Sequence, residues 1–322
     1  METLFVSREA RLRQRENTLT ITLDGKTRAF PIERIQHVVL LAESDLNSRL
    51  LTLCGKHGVR LSIFDYYGYY KGSFEPFDQN PSGRIKLMQA RTLLDDSERQ
   101  ALAREIVRGA AHNMHANLLY YRYRGNAALE PAVREMARLQ DKINSAPDVP
   151  TLMGVEGNLH QIYYAAWKHI EPKLDFGPRV RRPPNNPINC LLSFLNQLTY
   201  TVVRHELFKT HLEETFSLLH SPGHGRSSLS LDLAEPFKPV LTDSLIFRMV
   251  GRKMVDENWF EQHEGACLLT ETGRRHVAEQ FSTRLEEQYQ GQSFRSWIYR
   301  EALAIERHLL SVDEYQSFKR RV

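Results

Sequence analysis

Asp78-Gln79-Asn80-Pro81-Ser82-Gly83 is the stretch on which the fold turns. Five of the six, all but Gln79, favour turns or interrupt regular structure, so the chain changes character there. Upstream, Thr18-Leu19-Thr20-Ile21-Thr22-Leu23 alternates polar and apolar residues, the period of a half-buried strand. Asp24-Gly25-Lys26 is a turn, and Thr27 to Ile32 runs back as the second arm of a hairpin. Ile35 to Leu41 and Val59 to Phe64 read as further strands. Between them, Leu46 to His57 has helical spacing and stops at Gly58, a C-cap. Tyr66-Tyr67-Gly68-Tyr69-Tyr70 reads as an aromatic turn into a last short strand.

Downstream of the breakers nearly every periodic stretch is helical. Asp95-Asp96-Ser97 opens a long helix through Leu102, Ile106 and Leu118-Leu119. Pro150 to Ile170, Pro187 to Leu212, Val240 to Val255, Glu271 to Tyr289 and Phe294 to Leu310 follow. The expected fold class is therefore α+β: a small β-rich domain over residues 1–80, then a larger all-α domain over 81–322. The 322 residues, 41% hydrophobic and 25% charged, suit a globular chain with one large core or two domains. No apolar run approaches the roughly 18 residues that cross a bilayer. Glu2, Arg8, Glu9 and Arg11 interrupt any signal-peptide core, so the expected location is the cytoplasm, with no membrane partner. Cys54, Cys190 and Cys267 are scattered and make no CxxC pair, which argues against both a disulfide framework and a cysteine zinc site. A net charge of +4 permits a nucleic-acid partner without requiring one.

Three places in the helical part depart from simple amphipathic patterning. In Gly154-Val155-Glu156-Gly157-Asn158 a carboxylate sits between two glycines, which weaken a helix and let a ligand or another backbone come close. A lone Glu on a helix is also commonly a solvated group. His160 shares its face one turn on and reads as a neighbour. In Leu219-His220-Ser221-Pro222-Gly223-His224-Gly225-Arg226 the HxxxH spacing suggests a zincin, but no Glu follows His220 and Pro222-Gly223 makes the segment a loop. Its backbone N–H groups and the Arg226 fork suit a phosphate, although an ordinary polar connection reads the same. In Ser228 to Pro239 the alternation stops at Asp232, and Pro236 fits the first position of a new helix, with Glu235 just before it. An acid there also simply complements the helix dipole. Taken together, two carboxylates and one imidazole form an O/N set that suits Mg²⁺ or Mn²⁺ better than a soft metal. Such a metal polarises a phosphodiester and activates a water or a sugar hydroxyl.

These blocks, with Arg182-Pro183-Pro184-Asn185-Asn186-Pro187 through Phe194 and Ile63-Phe64-Asp65-Tyr66-Tyr67-Gly68 through Gly72, resemble one family across nearly the whole chain. It is the CRISPR-associated endonuclease that acts as integrase in spacer acquisition, the first-numbered protein of the Cas series. The resemblance implies that Glu156, His220 and Glu235 hold the metal and carry catalysis, with Asp232 as an additional acid. It implies a homodimer, paired through the amino-terminal domain, that joins a small ferredoxin-like Cas partner. This assembly would insert short duplex DNA into a CRISPR array by attack of a 3′-hydroxyl on a phosphodiester. Where this chain has Pro236 and Lys238 the family often has a second acid and an Arg; Lys238 keeps the charge but not the bidentate fork.

Arg226, Lys238, Arg181, Arg182, Arg248 and Arg252 are the expected contacts to DNA phosphate, in clusters that include Lys173, Arg179 and Lys253. Two other functions compete: a metal-dependent nuclease of branched DNA acting in repair, and a DNA-binding scaffold without chemistry.

Overall fold

The hairpin at Asp24-Gly25 shows how local chemistry sets the register in this fold. Both residues have positive φ (48° and 76°), the backbone of a tight two-residue turn whose twist matches the strands it joins. It fixes β3 (Thr18–Leu23) against β4 (Lys26–Pro31), with Leu23 opposite Lys26 and Thr18 opposite Pro31. The computed structural model describes residues 2–77, 81–222 and 227–321. The expected linker residues Asp78, Gln79 and Asn80, and the loop residues Gly223 to Arg226, lie outside the described residues.

The amino-terminal part contains β1 (Glu2–Val6), β2 (Ala10–Arg15), β3, β4, β5 (Ile35–Leu40), β6 (Ser44–Asp45), α1 (Ser48–Lys56), β7 (Arg60–Phe64) and β8 (Tyr70–Phe74). One sheet has the order β4-β3-β2-β6, the other β1-β5-β7-β8. Strands β1, β5 and β7 run parallel, and β8 returns antiparallel to β7. Leu12, Leu19, Ile32, Leu50, Cys54, Val59 and Leu61 are buried in one apolar core shared by these strands and α1. Helix α1 begins with the Asn47 side chain accepting from the Leu50 N–H, and Gly58 just beyond it has a φ of 68°.

Past Ser82, whose hydroxyl accepts from the Ile85 N–H, the chain is mainly helical. The elements are α2 (Gly83–Leu94), α3 (Asp96–Tyr123), α4 (Glu130–Ser145), α5 (Val149–Ile170), α6 (Pro187–Phe208), α7 (Ser228–Ala234) and α8 (Ser244–Gly251). They are followed by β9 (Phe260–His263), β10 (Ala266–Leu269), α9 (Glu271–Glu286), β11 (Gln288–Tyr289), β12 (Gln292–Ser293) and α10 (Phe294–Leu309). The fold is thus α+β, a strand-rich amino-terminal part followed by a mainly helical one. By backbone proximity residues 1–81, 182–197 and 256–283 form one compact unit, and 82–181, 198–255 and 284–322 a second. No helix among the described residues is long and apolar enough to cross a membrane.

Three local readings are corrected. The stretch taken as wholly helical contains the hairpin β9–β10, turned by Glu264-Gly265 with positive φ (49° and 81°), and a smaller one turned by Gln290-Gly291 (51° and 75°). Each repeats the X-Gly chemistry of Asp24-Gly25. Val240 to Val255 is not one helix: Pro239–Asp243 is a π-helical segment, α8 follows, and it ends at Gly251. Nor does a helix start at Pro236, because Glu235 to Phe237 form a turn. Pro236 and Pro239 have no N–H, so the α-helical ladder loses two donors within four residues. Side chains from other elements also bond to carbonyls of this stretch. Asn113 Nδ2 donates to Pro236 O at 2.8 Å, Asn117 Nδ2 to Pro239 O at 2.9 Å, and Arg284 to Val240 O at 2.8 and 3.0 Å. Such π-helical insertions frequently mark functional sites.

Candidate metal centre

Helix α5 carries the first half of the centre. Asp148 caps it by accepting from the Thr151 N–H at 2.7 Å, and Pro150 sits in its first turn. Despite Gly154 and Gly157 the helix is continuous, and the space where a side chain at either glycine would project is open. Glu156 and His160, four residues apart, lie one above the other. Below them Tyr164 stacks on His160 with ring centroids 5.4 Å apart, and Trp167 continues the aromatic row.

The break after α7 brings in the second half. Glu235, 3% exposed, reaches His160, whose Nε2 is 2.9 Å from Glu156 Oε1 and 3.5 Å from Glu235 Oε2. Among the described residues these three form the group of potential ligand atoms lying within 4.8 Å of one another. His160, read from spacing as a neighbour of Glu156, therefore joins the two carboxylates. Lys238 closes the other side of Glu235, its Nζ 2.7 Å from Oε1 and 2.6 Å from Oε2.

His220 lies outside that tight group. Buried Asp232 accepts from the backbone N–H of Leu218 (2.6 Å), Leu219 (2.9 Å) and His220 (3.0 Å), and its Oδ1 is 2.7 Å from His220 Nδ1. An Nδ1–H donated to Asp232 leaves the lone pair on Nε2, the tautomer in which a metal-ligating histidine is held by a carboxylate behind it. Asp232 is thus the clamp of the His220 loop.

The electrostatics are those of a buried, charged cluster. Burial disfavours the Glu235 carboxylate, but Lys238 and His160 outweigh it and hold its pKa well below the usual range. Burial likewise opposes the charged form of Lys238, and Glu235 more than compensates. For His160, the two carboxylates overcome burial and raise the pKa to about 9. For His220, Asp232 overcomes burial and Glu235 adds to the upward shift, which places the ring within the field of the cluster. Asp243, at the end of the π-helical segment, is pushed up to about 7 by burial, against the pull of His160 and Lys238.

Sequence reasoning passed over Asp243 as part of the expected helix Val240 to Val255. Its signal was a lone acid inside that stretch. His160 was noticed and set aside, because helical spacing does not say which of two same-face groups a distant segment meets.

The donor set fits a divalent cation. Although the contacts are close, neither ring nitrogen of His160 nor Oε2 of Glu235 has a partner aligned for a hydrogen bond, and Asp243 Oδ1 has none either. The carboxylate oxygens of Glu156 and Glu235 converging at one place are the donors that a hard or borderline cation takes.

Of the expected phosphate contacts, Lys238 is 8% exposed and held by Glu235, and Arg248 pairs with Glu287 at 2.5 Å. Arg181, Arg182 and Arg252 are exposed. Arg226 lies outside the described residues.

A helical scaffold with a break at a partly buried Glu–His–Glu cluster defines a candidate divalent-cation centre, and comparison with known proteins says whose. The family model described as CRISPR associated protein Cas1 matches residues 4–283. A protein named CRISPR-associated endonuclease Cas1 2 from Moorella thermoacetica is 35% identical over 325 residues, covering 99% of each chain. The solved structure of a CAS1 protein from Thermotoga maritima superposes with a TM-score of 0.88 at 29% identity, over 99% of this chain and 100% of that one. A casposase bound to integration product shares the fold, with a TM-score of 0.85 at 20% identity over 98% and 93% of the two chains. The chain belongs to the CRISPR associated protein Cas1 family.

Proposed function

We propose that the protein is a divalent-metal-dependent DNA endonuclease and integrase of CRISPR spacer acquisition, with Glu156, His220 and Glu235 as its metal ligands. The observation that carries this reading is the meeting of Glu156 and Glu235, 79 positions apart in the chain, in one partly buried cluster with His160. Family membership and the endonuclease name of a full-length relative support it. Bound Mg²⁺ or Mn²⁺ would polarise the phosphodiester and lower the pKa of the attacking hydroxyl or water. Glu156 and Glu235 supply carboxylate oxygens, and His220 supplies Nε2, oriented by Asp232. Lys238 balances the charge of Glu235, and His160 between the carboxylates holds them together when protonated. Exposed Arg181, Arg182 and Arg252 provide cationic charge for phosphate. The amino-terminal β-rich part pairs two copies, and the dimer joins a small ferredoxin-like Cas partner on duplex DNA.

The test is integration of a labelled short duplex into a repeat-bearing plasmid by the purified protein and its Cas partner, with Mg²⁺ or Mn²⁺. Wild type integrates and Glu235→Ala does not. Cleavage of branched junctions without integration would favour a repair nuclease. Activity untouched by Glu156→Ala and His220→Ala would leave a scaffold.

A further inference from the structure

Segment Ser311–Arg321 has almost no regular secondary structure, yet Tyr315, Ser317 and Phe318 are buried (4%, 5% and 6% exposed). Backbone without a helix or sheet is stable in an interior only when its polar groups find partners. Here they do. Glu301, buried on α10, accepts from the Tyr315 hydroxyl and the Ser317 hydroxyl, each at 2.7 Å, and from the Phe318 N–H at 3.0 Å. On α3, Asn113 Oδ1 accepts from the Arg320 N–H at 2.7 Å, and His112 Nε2 lies 2.7 Å from Arg320 O.

Two contacts of this segment lead to the turn that carries Glu235. The Asn113 side chain that receives Arg320 also donates from Nδ2 to Phe318 O (3.1 Å) and to Pro236 O (2.8 Å), tying the segment and the turn to one amide. The Phe318 ring lies flat on Phe237, centroids 5.0 Å apart and planes 12° from parallel. Pro236 and Phe237 are the two residues between Glu235 and Lys238. Two prolines interrupt the α-helical ladder there; the turn keeps short backbone bonds from Glu235 N–H to Asp232 O (3.1 Å) and Phe237 N–H to Ala234 O (3.0 Å), and the contacts from outside add to them. On α3, Gly109 leaves room for the segment: a Cβ there would fall on Ser317 Oγ and lie 2.9 Å from Ser317 Cβ and 3.2 Å from Phe318 O.

We propose that segment Ser311–Arg321 is a strap that positions Glu235 for metal binding, with Phe318 and Asn113 as positioning residues that never touch the metal or the DNA. The inference rests on the reading of Glu235 as a ligand. It predicts that loosening the strap weakens metal binding without unfolding the protein. A ligand shifted by a fraction of an ångström loses geometry that the cation demands.

The experiment is Mn²⁺ titration of the full chain, by calorimetry and by the Mn²⁺ electron paramagnetic resonance spectrum. Helical circular dichroism reports folding. Phe318→Ala is expected to raise the Mn²⁺ Kd about tenfold and change the spectrum while the helical signal persists. Gly109→Ala should do the same, although alanine is otherwise the better helix former. Folded Phe318→Ala and Gly109→Ala proteins that bind Mn²⁺ like wild type overturn the proposal. If instead wild type binds no Mn²⁺, or Glu235→Gln binds it equally, the metal-site reading itself has failed.

Discussion

Replacing Lys238 with Met tests the centre most directly, because it removes one charge and keeps the length of the side chain. The Lys238 and Glu235 side chains are 10% and 4% exposed and meet at 2.6 Å. Removing one partner of a buried ion pair typically costs about 3–5 kcal/mol, since the other charge is left desolvated and unpaired. The lower end applies here. His160, 3.5 Å from Glu235 with its pKa raised to about 9, retains a second positive charge at neutral pH. The expected loss for Lys238→Met is therefore about 3 kcal/mol in metal-free buffer, read as a shift in the urea unfolding midpoint. A divalent cation beside Glu235 takes over the work of the missing ammonium, so Mn²⁺ should recover part of the loss. By linkage, each 1.4 kcal/mol recovered corresponds to a roughly tenfold tighter Mn²⁺ Kd in the variant than in wild type. The double variant Glu235→Gln, Lys238→Met carries neither charge and should regain most of the stability. A loss below about 1 kcal/mol would refute the buried pair, being the value of an exposed one. A loss of full size that Mn²⁺ leaves unchanged would refute the placement of Glu235 at a cation site.

Other outcomes follow from the same geometry. Asp232→Asn keeps the shape but removes the carboxylate behind His220, and should weaken Mn²⁺ binding about 10–100-fold by calorimetry, whereas a structural acid alone would leave the Kd in place. Glu301 is raised to about 7 by burial, so folding takes up protons as the pH rises between the ordinary carboxyl range and 7. Its contribution to stability is full below about pH 4.5 and lost as pH rises through about 7, so Glu301→Gln should flatten urea stability over that window. Arg181→Ala and Arg252→Ala, at exposed positions, should each reduce the salt dependence of duplex binding by about one unit of slope without changing sequence preference; an unchanged slope places that arginine away from DNA.

Local rules reached most of the elements because each is written in a few neighbouring residues. The hairpin at Asp24-Gly25, the helix opening at Asp95, the helix expected from Pro150 and the stop at Gly58 all need only φ preferences and one hydrogen bond. The hairpin at Glu264-Gly265 was missed although its turn has the same backbone. Its first residue is an unusual choice for positive φ, and its two four-residue strands are too short for a clear period of two.

At the centre the division falls differently. Chemistry and resemblance together pointed to Glu156, His220, Asp232 and Glu235, because two oxygens and an imidazole are a metal's donor set whatever the fold. Tertiary structure alone decided that His160 stands between the carboxylates, that Lys238 is spent on Glu235, that Asp232 clamps the His220 loop and that Asp243 is buried nearby. The physical reason is range. A cap or a turn is an interaction over three or four residues, whereas α5 and the turn after α7 meet through packing across the chain. Which of several same-face side chains makes the contact depends on the π-helical shift after Pro239 and on the side chains that bond to its carbonyls, and neither is encoded in any one window of sequence.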